Sequence, residues 1–167
     1  MSNEFECTGY HKSSIDNAQN SVRWQSFHIS SKEDLWLGEG VYFWQRYYDA
    51  VWWKGNYTNP AIVSTDIICP RDLFLDLDNP EEKKAFEEYF EQVFLELKDA
   101  KLSVGVEWDS IVGAFSCNHF KKEYGIRLIR YSFPQRSKRP QLCSTGTEIL
   151  SNIRLVSVFV NGEYRTV

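Results

Sequence analysis

Leu35-Trp36-Leu37-Gly38-Glu39-Gly40-Val41-Tyr42-Phe43-Trp44 is the stretch on which the reading of this chain turns. Two glycines one residue apart mark a tight loop, because glycine tolerates backbone angles that a side chain forbids. The aromatic and β-branched residues that follow fit a strand. Alternation then puts Tyr42 and Trp44 on one face of that strand and Phe43 on the other. A helical segment carrying Tyr47, Ala50 and the pair Trp52-Trp53 comes next.

Upstream, Phe5 to His11 reads as a short strand. Ser14 offers an N-cap, with Ile15, Ala18 and Val22 at helical spacing behind it. Phe27 to Ser30 is short and alternating, and polar Ser31 to Asp34 leads into the glycine loop. Downstream, Ala61 to Ile68 is rich in β-branched residues and reads as a buried strand closed by Pro70. Leu73 to Leu77 fits a further short strand.

The clearest element is a helix from Pro80 to about Leu102. Asn79 suits its N-cap, Pro80 its first position, and Glu81 and Glu82 the positive end of its dipole. Phe86, Tyr89, Phe90, Val93, Phe94 and Leu97 follow the spacing of one buried stripe. A second helical segment runs from about Trp108 to Tyr124 and stops at Gly125. Ile126 to Phe133 alternates as a strand, Gln135 to Thr147 reads as a polar loop, and Ile149 to Val160 is a long strand pattern. Asn161-Gly162 is a hairpin turn, returning as Glu163 to Val167. Residues 1–167 make a single α+β domain, with strands clustered largely with strands.

Composition bounds the function. The chain has 167 residues, 43% hydrophobic and 25% charged, as in an ordinary globular protein. Aromatic residues reach 16%, more than a core demands, which suggests surfaces for flat ligands. A net charge of −4 excludes a globally basic nucleic-acid coat but not a local basic patch. Cys7, Cys69, Cys117 and Cys143 are widely spaced, so neither a disulfide framework nor a zinc site is signalled. Reduced thiols, a polar Met1 to Cys7 and the lack of an 18-residue apolar run indicate a cytoplasmic protein with no membrane association. Asp66, Asp76 and Asp78 match no metal-loop spacing, so no metal site is expected.

Two pieces carry the chemistry. Gly9-Tyr10-His11-Lys12-Ser13 ends the first strand, and Gly38-Glu39-Gly40-Val41-Tyr42-Phe43-Trp44 is followed by Ala50 and Trp53. A strand-end histidine, a tyrosine behind glycines and a later aromatic make a niche for a flat heterocycle. The glycines admit the ligand, the rings stack on it and the imidazole gives a directional hydrogen bond.

This order resembles the diphtheria-toxin and poly(ADP-ribose) polymerase type of ADP-ribosyltransferase. It also resembles small bacterial and phage-related proteins in which Trp-Leu-Gly-x-Gly-x-Tyr-Phe-Trp follows a Tyr-His motif. The likeness is detailed from Tyr10 to Trp53. It implies a fold of split antiparallel β-sheets with flanking helices, and NAD as substrate. By the same resemblance His11 would hydrogen-bond the adenine-side ribose. The Lys12 backbone and the Ser13 hydroxyl would hold the nicotinamide carboxamide, and Tyr42 and Trp53 would stack on the ring.

The implied reaction loosens the N-glycosidic bond, and a carboxylate stabilises the cationic ribose while an acceptor attacks. Lys12 stands where the family has glycine. For the third catalytic position Glu148 is the first choice, with Asn152 and Arg154 as alternatives that would bind ribose without supplying a carboxylate.

Lys121, Lys122, Arg127, Arg130, Arg136, Lys138 and Arg139, interleaved with Tyr124, Tyr131 and Phe133, tilt the acceptor toward nucleic acid, RNA included, over protein. The resulting expectation is a mono-ADP-ribosyltransferase of the toxin-antitoxin or anti-phage kind, with an antitoxin protein as partner. The alternatives are an NAD- or ADP-ribose-binding module without turnover and, ranked last, a small ribonuclease using His11.

Overall fold

The computed structural model describes residues 3–29, 36–99, 112–134 and 138–167. The chain is α+β: among the described residues, one eight-stranded sheet and four α-helices. Strand β1 spans Glu4–Ser14 and is followed by α1, Ile15–Trp24. The Ser14 hydroxyl accepts from the Asn17 amide, capping α1 as the sequence suggests. Strand β2 is Val41–Trp44, α2 is Tyr47–Trp52 and β3 is Pro60–Pro70. A 3-10 turn at Arg71–Leu73 precedes β4, Phe74–Asp76.

Helix α3, Pro80–Asp99, starts where Asn79 Oδ1 accepts from the amides of Glu81 and Glu82. Helix α4 is Ala114–Tyr124, with Gly113 as its N-cap. The expected helix limits at Leu102 and Trp108 lie outside the described residues, as do Ser30 and the side chain of Leu97. The rest are β5 (Leu128–Ser132), β6 (Pro140–Ser144), β7 (Leu150–Val160) and β8 (Glu163–Thr166). Asn161 and Gly162 both have positive φ, as a two-residue hairpin turn requires.

The strand order is β4-β5-β6-β2-β1-β3-β7-β8. Two expectations need correcting. The strands form one continuous sheet rather than two, and the sheet is mixed, because β4 and β5 run parallel. A parallel pair needs a long crossover, and the α3–α4 segment supplies it. Continuity between the halves is thin. β1 pairs with β3 over its whole length, from Glu4↔Pro70 to Ser14↔Pro60, yet it pairs with β2 only at Tyr10↔Trp44.

A third correction concerns Gln135 to Thr147. Residues 135–137 are outside the described set, but Pro140–Ser144 is an interior strand between β2 and β5. Its polar residues Gln141 and Ser144 are buried, so polarity there marks a central strand rather than a loop. Phe27 to Ile29, read as alternating, forms no strand.

The two halves fold over a shared core. Val41, Phe43, Phe74, Leu128 and Leu142 from one half meet Ala61, Val63, Ile67 and Ile153 from the other, with Ala18 of α1. Phe5 stacks on Phe74 at 4.1 Å between ring centres. The outer face of the first half carries Leu75, Ile129 and Cys143 against Phe86, Phe90 and Phe94 of α3. Each such phenylalanine contributes about 1.5–3 kcal/mol on burial. The outer face of the second half carries Ile62 and Tyr10 under α2, with Trp44 and Ala50. The cysteines are free thiols, and no described helix is long and apolar enough to cross a membrane.

Candidate functional site

β1 is longer than the sequence suggests, so His11 lies inside the strand, with Lys12 and Ser13 after it. Cross-strand partners share a face, so His11, opposite Val63, points into the core between the halves. Lys12, opposite Ile62, points outward. His11 Nδ1 donates to the carbonyl of Tyr42 at 2.7 Å. The bond spans the place where β1 and β2 part, and the imidazole takes over a carbonyl that ladder pairing no longer serves. Phe27 and Phe43 meet the ring edge-on at 5.2 and 5.8 Å. Burial lowers the His11 pKa below its usual 6.5, and the Tyr42 carbonyl opposes that. The ring is therefore neutral, with Nδ1–H donating and Nε2 an acceptor.

The Lys12 side chain lies on the opposite face of β1 from His11. Its ammonium donates to the carbonyls of Trp53 at 2.5 Å and Val51 at 3.3 Å, closing the end of α2. It also lies 5.0 Å from the Tyr164 ring centre. Burial lowers its pKa. Ser13, on the His11 face and 7% exposed, donates to the Ser14 carbonyl.

Tyr42 points to the outer face of the first half, among the residues packed under α3 and α4. Its hydroxyl accepts from the Leu37 amide at 2.9 Å and donates to the Gly38 carbonyl at 2.5 Å. Burial raises its pKa. The glycine loop has a further anchor in Lys121, whose buried ammonium donates to the carbonyls of Leu37 at 2.6 Å and Glu39 at 2.7 Å. Both glycines are required: Gly38 has φ +80 and would place a Cβ on Asn118, and Gly40 has φ +152 and would place one 2.5 Å from Cys143 Sγ.

Trp53 lies in the cluster under α2, 5.8 Å from the Trp44 ring. The structure thus joins His11 to Tyr42 through a backbone carbonyl and Lys12 to Trp53, but it does not set the rings of Tyr42 and Trp53 face to face. The third-position candidates are also apart. Glu148 pairs with Arg127 at 2.6 Å and is exposed. It precedes Leu150, which lies level with Ile67 and Cys7. That is roughly 13 Å or more along the sheet and about 10 Å across it from His11. Asn152 adopts positive φ at a bulge in β7, and its amide donates to Asp66 Oδ2 at 2.8 Å. Arg154 meets the same carboxylate at 3.5 Å.

The basic run is mostly consumed by structure. Lys121 holds carbonyls, Arg130 grips Asp76 through two bonds, Arg139 pairs with Asp49 and Arg127 with Glu148. Tyr131 and Phe133 pack in the core under α3. Lys122, Lys138 and Tyr124 are exposed, and Arg136 lies outside the described residues. An open cleft of about 390 Å³ sits beside the glycine loop between Glu39, Asn118, Lys122 and Arg127, and none of the predicted site residues lines it. Sequence reasoning passed over Gln141, which is buried level with Trp44 on the face of Tyr42; its place in an apparent loop gave no signal. The chain matches no protein-family model, no curated protein and no solved structure.

Proposed function

We propose that the chain binds NAD where β1 and β2 part and transfers its ADP-ribose to a macromolecular acceptor, the acceptor nucleophile bonding to the ribose C1 and losing its proton as the N-glycosidic bond breaks and nicotinamide leaves. The observation that supports this reading is the single-pair junction with His11 fixed across it. Past Tyr10 the β2-side edge of β1 has no ladder partner, and a carboxamide offers the donor and acceptor that such an edge needs. The neutral His11 leaves Nε2 as an acceptor for a ribose hydroxyl. Tyr42 provides the aromatic group behind the glycine loop. As a small toxin, the protein would need an antitoxin protein to hold it in check. Arg127, Arg130 and Arg139 of the basic run are paired with carboxylates, while Lys122 and Lys138 stay exposed, so the acceptor proposed is nucleic acid, RNA included, ahead of protein.

A second reading is favoured by the position of Glu148: an NAD- or ADP-ribose-binding module without transfer. Glu148 is held by Arg127 two strands away from His11, and not beside it where a cationic ribose would need a carboxylate.

Labelled NAD incubated with the protein and a cell lysate, followed by separate protease and nuclease digestion, tests both. Label attached to macromolecules supports transfer, and the digestion that releases it names the acceptor. Calorimetric NAD binding without transfer selects the module. Absence of any binding heat removes both readings, and RNA cleavage without NAD replaces them with a nuclease. Glu148→Gln divides them further: loss of transfer with binding intact restores that residue to catalysis.

A further inference from the structure

Helix α2 turns Asp49 and Ala50 inward and leaves Tyr48 79% and Trp52 38% exposed. Four residues apart, these two positions fall on one flank of the helix. The buried Asp49 carboxylate binds a cation with each oxygen, Arg46 at 2.7 Å and Arg139 at 2.5 Å. The Arg139 guanidinium lies 4.1 Å from the Trp52 ring centre, so ring and cation are held together before any ligand arrives. Lys54 and Lys138 are exposed at the ends of the same segments. Residues 46–54 and 138–139 therefore carry four cations against one carboxylate, in a chain of net charge −4.

We infer that this flank of α2 binds single-stranded polynucleotide. Unpaired bases stack on Tyr48 and Trp52, and phosphates meet Arg46, Lys54 and Lys138. A polyanion that also carries flat apolar faces satisfies both the rings and the charge. An acidic peptide satisfies only the charge, and a duplex keeps its base faces covered. The inference does not rest on the NAD reading, and its test needs no NAD.

Fluorescence anisotropy with labelled uridylate and thymidylate oligomers of about 12 nucleotides, a duplex of equal length and a polyglutamate peptide reads the preference. Single strands of either sugar should bind more tightly than the duplex or the peptide, and more weakly as salt rises. Tyr48→Ala should weaken binding by about tenfold or more, while Lys54→Glu and Lys138→Glu should each weaken it and flatten the salt dependence. Trp24→Ala removes another exposed aromatic (67%), outside the patch, and should change nothing. Equal binding of duplex and single strand, a preference for polyglutamate, an unaffected Tyr48→Ala protein or an equal loss in Trp24→Ala each overturns the inference.

Discussion

The ammonium of Lys12 sits 2.5 Å from the carbonyl oxygen of Trp53, so a strand residue ends a helix thirty-five positions or more away in sequence. The last carbonyls of a helix lack partners within it and carry partial negative charge. Lys12 answers both needs from a position 9% exposed. Lys12→Met keeps most of the stem but strands the carbonyls of Val51 and Trp53. A loss of about 1–3 kcal/mol in urea unfolding is expected. Wild-type stability in that variant would mean that burying the ammonium costs as much as its bonds return.

Tyr42 separates two roles by substitution. Tyr42→Phe keeps the ring and deletes the hydroxyl that joins Leu37 to Gly38. The expected result is faster hydrogen exchange at the Leu37 amide, a stability loss of about 0.5–1.5 kcal/mol and NAD binding retained. Tyr42→Ala should remain folded and lose NAD binding. Loss of binding in both variants would tie it to the loop rather than to the ring.

His11 makes stability depend on pH in a definite direction. Its pKa is lowered in the folded protein by burial. Well above pH 6.5 the ring is neutral in both states and the full stability is present. Below that, the unfolded chain takes up a proton that the folded site resists, so stability falls as pH drops toward the folded pKa. Urea unfolding of wild type and His11→Asn across this window should show a steeper decline in the wild type. Parallel curves would place the imidazole in contact with water.

Gly40→Ala should be among the most damaging single-methyl changes in the chain. It puts a Cβ against Cys143 Sγ and the Ser144 carbonyl, at 2.5 and 2.6 Å, at a φ of +152. A cost of about 1–3 kcal/mol is expected from the backbone conformation alone. Gly125→Ala serves as the comparison, since its φ is +65 but no atom lies within 4 Å of the added carbon. Equal costs at the two sites would show that steric contact with β6 adds nothing.

Local signals in the sequence were reliable where local physics decides the outcome. Ser14 and Asn79 act as caps, the phenylalanine stripe of α3 is buried, and Asn161-Gly162 turns a hairpin. The misreadings arose where tertiary pairing decides. β6 is too polar to declare itself, because Gln141 and Ser144 are covered by neighbouring strands rather than by their own apolarity. The length of β1 is set by β3, which pairs with all of it. In the site, spacing correctly located the glycine loop beside Tyr42. It carried no information about which face each ring occupies across a junction one pair wide, nor that Glu148 would be committed to Arg127. The cluster of basic residues along the chain likewise concealed carboxylate partners distant in sequence, such as Asp49 and Asp76.

The Tyr10–Trp44 contact makes the molecule behave like a book whose spine is a single stitch. Pulling or prying the covers apart strains that stitch, the His11–Tyr42 bond beside it and the packed side chains between the pages, while the long seams on either side stay intact. Loosening that junction alone leaves the β1–β3 and β2–β6 ladders in place, so the compliance of the whole body should rise from that one point.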